Sequence, residues 1–326
     1  MKYYFRTWIT AMAVAVTGLF GAANAPAQTA DYPGKGTIEI TVLFPAGSSA
    51  DITARMLADG MSKNLGATVI VVNRPGAGGA IGYKYVAGQK PDGYSLVWNS
   101  NSISTTYHSG QLPFDYRAFE PVAKVLAESP LLAVRADSKW KTLQDFISDA
   151  KTNPGKITVG NSGTGSHTHI SSVAMFKAAG IDVIDVPFGA AQVIPSLIGG
   201  HVDAVVQLPG ALSSHLKSGT IRILAAIVAK RDPNLPEVPT AREQGVNVAL
   251  DAWRGIAVPK GTPAQVIARI ETAIRKTVES PEFIRRCEQV GVVPSFAPAS
   301  EFGKVIAKED VDMARIMQVA GLLSKP

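Results

Sequence analysis

Apolar residues recur along this chain at two spacings, and the switching between them sets the first expectation. Short runs rich in β-branched residues read as strands: Ile38–Phe44, Ala67–Val72, Tyr94–Trp98, Ile157–Val159, Ile181–Val186, Ala204–Val206 and Ile221–Val228. Between most of them the spacing widens to that of a helix. One helix is expected from about Ile52. Leu143, Phe146, Ile147 and Ala150 fall at i, i+3, i+4 and i+7, the mark of an amphipathic helix. Pro263 sits at a favourable helix start, followed by Val266, Ile267, Ile270, Ile274 and Val278 on one face, and Ala299 to Leu323 forms a last helical region. Strands alternating with helices predict an α/β fold with a largely parallel sheet. No internal repeat and no low-complexity linker divides the chain, which favours two lobes joined by more than one crossing over beads on a string.

The N-terminal stretch has a different character. Lys2 and Arg6 precede an uncharged apolar run, Trp8 to Gly21, and small residues at Ala23, Ala25 and Ala27 suit cleavage. Residues 1–27 therefore read as a signal peptide, which places the mature protein in the periplasm. An uncleaved anchor is the alternative, although the run is short for the ~30 Å hydrocarbon core. Without residues 1–27 the formal net charge falls from +6 to +4, because Lys2 and Arg6 leave and no acid does. The remaining charge is scattered, so no nucleic-acid groove is expected, while a mild positive balance suits an anionic ligand. Cys287 is the only cysteine, so stability must come from core burial and not from a disulfide. About 300 mature residues suffice for two domains.

Two loops combine the features of an anion site. Phe44-Pro45-Ala46-Gly47-Ser48-Ser49-Ala50-Asp51 joins the end of a strand to the start of a helix, the edge at which open α/β sheets bind ligands. A helix start offers free N–H groups and a positive dipole end. Ser48 and Ser49 add hydroxyls, yet ordinary N-capping by Ser49 or Asp51 explains the same residues. Gly160-Asn161-Ser162-Gly163-Thr164-Gly165-Ser166-His167-Thr168-His169 repeats the design, with Asn161, Ser162, Thr164 and Ser166 as neutral donors. Its alternative is a flexible Gly/Ser turn. Facing one another, the two loops would clamp a ligand.

Other signatures are weaker. Asn73-Arg74-Pro75-Gly76-Ala77-Gly78-Gly79-Ala80-Ile81-Gly82 approaches a dinucleotide fingerprint but has Ile81 at its last position, and reads instead as a tight loop near the cleft. Ser162 lacks the Gly-x-Ser-x-Gly elbow, since Thr164 occupies the second position after it. His167 and His169 have no accompanying metal-ligand cluster. No metal and no cofactor is expected. Cys287, on a helical segment beside Arg285 and Arg286, reads as a packed or surface thiol.

Taken together, the motifs resemble the solute-binding receptors of tripartite tricarboxylate transporters, the Bug-type periplasmic proteins. The matches run through essentially the whole mature chain: Phe44, Pro45, Gly47, Asp51 and Arg55; Asn73–Gly79; Pro91–Tyr94; Ser162–Ser166 followed by His169; Gly200–Asp203; Val238–Thr240 with Glu243 and Gly245; and Trp253, Gly255 and Pro259–Pro263. The resemblance implies a two-lobed, type II-like periplasmic-binding-protein fold that closes about a hinge. It implies that residues 28–128 and 255–326 form lobe one and 129–254 lobe two, with crossings near Ser129–Val134 and Trp253–Val258. It implies a small-molecule carboxylate ligand, held largely through neutral donors and water, and delivery to the permease subunits of a membrane transporter, with no bond made or broken. A monomer is expected. Asn99 and Gln207, just past two predicted strands, join the expected ligand shell by the strand-end rule.

Departures from the family pattern bear on the ligand. Ser48 stands where glycine is common, and Ala50 where many members carry a hydroxyl. Phe188-Gly189-Ala190 replaces Tyr-Lys-Gly, removing a lysine, and His167, His169 and His201 add imidazoles. Phe44, Phe188 and Trp98 would support an aromatic ring, which favours an aromatic mono- or dicarboxylate over an aliphatic di- or tricarboxylate; burial of all three in the core is the competing reading. Two further functions share the same loops: a secreted hydrolase or decarboxylase using Ser162, His167 and an acid, and a sensor subunit signalling through a membrane partner.

Overall fold

The computed structural model describes residues 32–189 and 191–324; the signal-peptide expectation over 1–27 and the substitution at Ala190 lie outside the described residues. The first apolar run pairs as β1 (Ile38–Val42) and is followed by α1 (Ser49–Leu65), β2 (Val69–Asn73), α2 (Ala80–Ala87), β3 (Ser95–Ser100), α3 (Ser102–His108) and β4 (Phe119–Glu128). The boundaries of α1 follow local chemistry: the Ser48 hydroxyl accepts from the Asp51 N–H, and Gly66 turns left-handed with φ 65° at the far end.

After only Ser129 and Pro130 the chain enters a second sheet. Its elements are β5 (Leu131–Arg135), α4 (Leu143–Thr152), β6 (Thr158–Asn161), α5 (His167–Ala179), β7 (Ile184–Pro187), α6 (Val193–Ile198), β8 (Ala204–Gln207), α7 (Pro209–Lys217) and β9 (Ile221–Ala226). The amphipathic helix expected over 143–150 is α4, started by a reciprocal capping box between Thr142 and Asp145. The chain then returns to the first sheet through β10 (Ala252–Pro259), α8 (Ala264–Val278), α9 (Pro281–Val290), β11 (Val293–Pro298) and α10 (Ala299–Ala320).

Among the described residues the two sheets run β11-β4-β10-β3-β1-β2 and β7-β6-β8-β5-β9. Neither is largely parallel. β1 is parallel to β2 and β3, and β6 to β7 and β8. In contrast β10 runs antiparallel to β3 and β4, and β5 to β8 and β9. The antiparallel strands are those at which the chain leaves one sheet for the other, so they enter without the helical crossover that parallel pairing requires. The crossings are also displaced from the expected segments. Residues 131–134 already pair in the second sheet and 253–258 in the first, and Ile227, Ala241, Val246 and Leu250 pack in the second core, so the chain crosses at 129–130 and again just before β10. β4, β5, β10 and β11 were not anticipated as strands.

The end of the chain departs from the expected division at residue 255. Phe302 and Ile306 of α10 pack in the core of the first sheet, whereas Met313 and Met317 lie in that of the second. This helix therefore straps the two halves together. At its midpoint Glu309 accepts hydrogen bonds from the Trp253 indole and, at 2.6 Å, from Asn101 Nδ2. Burial raises the Glu309 carboxyl from an ordinary 4.5 to about 7, against the pull of the Trp253 bond and of Lys124, with Asp251 adding like-charge repulsion.

The halves meet again at the loops. Thr105 Oγ1 donates to the Gly165 carbonyl, and Gln111 Nε2 donates to the Thr164 carbonyl at 3.2 Å. Gly78 has φ 62°, and a Cβ there would lie 2.8 Å from the Thr164 carbonyl oxygen and 2.9 Å from the Gly165 carbonyl carbon. Both atoms are backbone and cannot swing aside.

Two outcomes follow from these contacts. Gly78→Ala is expected to hold the halves apart, giving a larger radius of gyration by small-angle X-ray scattering, with a local strain of about 1 kcal/mol from the positive φ. Between pH 4.5 and 7 the unfolded chain gives up the Glu309 proton while the folded chain keeps it, so this group loses stability as pH rises. Glu309→Gln is therefore expected to gain in melting temperature relative to the parent on going from pH 4.5 to pH 8; thermal melts of the two proteins at both pH values check it.

Candidate functional site

β1 and β6 end side by side in space, one in each sheet, and each delivers its chain into a helix start. The starts of α1 and α5 line one narrow cleft between the sheets, with a free volume of about 20 Å³, through Ser48, Ser49 and Ala50 on one side and Ser166, His167 and Thr168 on the other. Ser48 Oγ accepts from the Asp51 N–H at 3.3 Å, and Ser166 Oγ accepts from the His169 N–H at 3.2 Å. A hydroxyl has acceptor lone pairs and one donor hydrogen, so capping by itself leaves each serine an O–H to offer; Ser166 Oγ also lies 3.1 Å from Thr168 Oγ1, and either oxygen of that pair can be the donor. The capping and anion-site readings of these loops are thus compatible.

Arg254 stands between the two helix starts. It lines the cleft, is 4% exposed, and its guanidinium carbon lies 5.8 Å from the centre of the Phe44 ring. A β-bulge between Arg254 and Gly255, in the pairing with β4, sets the direction of this side chain. Its Nε donates to Glu128 Oε2 at 2.8 Å, and the other oxygen of Glu128 accepts from Ser49 Oγ. Arg254 is the sole charged residue along the cleft wall among the described residues; the Glu128 carboxylate lies fully buried behind it.

The remaining wall is neutral. Gln207, at the end of β8, donates from Nε2 to Ser162 Oγ at 2.7 Å. Burial, reinforced by the charge of Arg254, pushes the His167 imidazole down to about 3, so the ring is neutral throughout the physiological range. Its Nδ1 faces Ser171 Oγ at 3.4 Å, while its buried Nε2 has no protein partner. Beyond Phe44 and Ser162 the cleft opens into an outer groove of about 600 Å³, walled by Pro75–Gly79, Gln111, Thr164 and Phe188, with no charged side chain along it.

Of the residues expected to touch a ligand, Phe44, Ser48, Ser49, Ala50, Ser162, Ser166, His167 and Gln207 line the inner cleft, and Thr164 and Phe188 the outer groove. Three are engaged elsewhere. Asp51 accepts from Gly47 N–H, Asn73 Nδ2 and Arg55; burial opposes its ionisation, but these donors outweigh it and hold the carboxyl below its ordinary range. Asn161 joins Asp185 at 2.7 Å and accepts from Gly163 N–H, shaping its own loop. Asn99 is still within β3, which runs two residues further than expected, and its side chain accepts from Tyr83 Oη at 2.8 Å. Ser100, Asn101 and Ser102 reach the cleft instead.

Trp98 is fully buried in the core of the first half and supports no ligand ring. Ser162 meets Gln207 and His167 faces Ser171, so these two side chains are not paired with one another, and His169 lies 3.4 Å from Asp185. Burial pushes the Cys287 thiol up to about 12, which removes it as a nucleophile. Arg254, Glu128 and Thr168 escaped the sequence reading. A lone arginine inside the apolar run Ala252–Pro259, and an acid closing the apolar stretch Val125–Ala127, were signals for the first two.

Comparison with known proteins agrees with this geometry. The family model for receptors of the tripartite tricarboxylate transporter family matches residues 53–322. A UPF0065 protein in the gbd 5′ region of Cupriavidus necator is 30% identical over 311 residues, covering 94% of this chain and 95% of the relative. Protein BugT of Bordetella pertussis is 29% identical, covering 94% and 97%. Among solved structures, the periplasmic binding protein BugD superimposes with a TM-score of 0.85 at 29% identity, covering 90% of this chain and all of BugD. The R. palustris protein Rpa4515, solved with adipate, gives 0.85 at 27% identity, covering 89% and 99%. MatC of Rhodopseudomonas palustris, solved with malate, gives 0.81 at 25%, covering 87% and 99%. The two sheets with a cleft between them are thus the two lobes of a periplasmic-binding-protein fold, and this chain belongs to the receptor family of the tripartite tricarboxylate transporters.

Proposed function

We propose that this chain is a periplasmic receptor that captures a small organic carboxylate in the inner cleft and presents it to the permease subunits of a tripartite transporter, without chemistry on the ligand. The observation that carries this reading is the convergence of two capped helix starts, at Ser48 and Ser166, and of Arg254 on one cleft. Free N–H groups, serine hydroxyls and a guanidinium are all donors, and a carboxylate is acceptor only. Adipate and malate in the two similar structures belong to the same chemical class.

The body of the ligand would lie in the outer groove. Phe44 and Phe188 frame it, and the absence of charge along this wall suits a flat apolar group, so an aromatic carboxylate is the refinement we favour. Binding and closure are one event. The carboxylate meets the α1 start first, and the second lobe contributes Ser166, His167 and Gln207 only when the halves approach. The ligand favours the closed form by as much as it prefers that full set of donors.

Two measurements check the reading. Protein unfolded and refolded to strip carried-over ligand is expected to gain about 2.7 kcal/mol of stability from a cognate carboxylate at 100 times its dissociation constant, seen as a thermal shift with no turnover of the ligand. A flat response across aliphatic and aromatic carboxylates would remove carboxylate capture. Ser48→Ala and Ser166→Ala are each expected to weaken binding about tenfold by calorimetry, the size of one hydrogen bond of ~1–1.5 kcal/mol; unchanged affinity in both would remove this cleft as the site.

A further inference from the structure

Every donor in the inner cleft other than Arg254 is neutral, and the charge of Arg254 is already answered. Glu128 takes its Nε at 2.8 Å and also takes the Ser49 hydroxyl, so this internal carboxylate occupies two donors that an anionic ligand would otherwise claim. With the pair counted together, the inner cleft carries no formal charge. What remains to attract an anion is the two helix starts, each equivalent to roughly half a positive charge. Their sum matches one carboxylate. The outer groove, where a second carboxylate would sit, has no charged side chain to meet it, and Gly189 stands at its rim.

From this charge balance we infer that the receptor selects singly charged carboxylates, and that Glu128 is the residue that sets this preference against dicarboxylates. The inference rests on the cleft being a carboxylate site and adds the ligand's charge to it. A monocarboxylate places its one anionic group between Ser48 and Ser166 and its uncharged body between Phe44 and Phe188. A dicarboxylate must strip water from its second group in a neutral groove, or leave that end in solvent and forgo the apolar contact. Glu128 acts without touching the ligand: it cancels the field of Arg254 and holds the guanidinium in place.

The test is calorimetric binding of ligand-stripped protein to two matched pairs, benzoate against terephthalate and hexanoate against adipate. The parent protein is expected to bind the monocarboxylate of the preferred pair at least about tenfold more tightly, the scale of one poorly screened charge interaction. Glu128→Gln keeps an acceptor for Ser49 and removes the negative charge, so the ratio is expected to shrink or reverse. Gly189→Lys, at an exposed position where a Cβ would meet only Gln192 Oε1, in ordinary contact at 3.8 Å, should shift the same ratio toward the dicarboxylate by supplying a cation beside the outer groove, and it serves if Glu128→Gln does not fold. A parent protein that binds dicarboxylates as well as or better than their partners overturns the inference while leaving the receptor reading intact. Ratios unmoved in the folded variants overturn it as well. Failure of all four ligands to bind, when a wider carboxylate panel also fails, removes the receptor reading together with it.

Discussion

The buried ion pair between Glu128 and Arg254 governs the arrangement of everything around the cleft. The two side chains are 0% and 5% exposed, and a buried charge left without its partner destabilises a protein by several kcal/mol. That penalty enforces three placements at once. The end of β4 and the start of β10 must lie together, the bulge at Arg254 must aim its side chain at Glu128, and α1 must begin where Ser49 can reach the same carboxylate. These are also the points at which the chain passes between the lobes. The ligand cleft and the connection between lobes are thus set by one carboxylate.

Around this charged centre the cleft is built for recognition by neutral groups. Serine hydroxyls cap the helices with their lone pairs, Gln207 positions Ser162, and His167 is kept uncharged by its burial. Buried polar atoms are nearly always paired, and the buried Nε2 of His167, without a hydrogen-bond partner, is an exception. On the proposed function, such a site would hold an anion without strong Coulombic attraction, which suits a receptor that must release its cargo as well as capture it.

The lobes are less independent than their separate sheets suggest. α10 buries its first half in one core and its second half in the other, and Glu309 ties it to Asn101 and Trp253 at the midpoint. Opening must therefore bend or slide this helix, or move the second lobe about it. Gly78 sets the opposite limit, since the contact of its backbone with residues 164–166 has no room for a side chain.

Much of this was legible in the chain itself. Amphipathic spacing located α4, α8 and α10, β-branched runs located the parallel strands, and a glycine- and serine-rich loop between strand and helix marked both helix starts that line the cleft, because these are local consequences of side-chain periodicity and backbone freedom. The ordered motifs pointed to the family. What periodicity could not reveal was which strands turn antiparallel, that β3 extends past Asn99, that Trp98 faces inward, or that Asp51 and Asn161 spend their polar atoms on their own loops. Nor could it pair Glu128 with Arg254, 126 residues away. A sequence records the period of each element and the chemistry of each side chain. Which buried charge answers which depends on the packing of elements remote along the chain, and only the tertiary structure decides that.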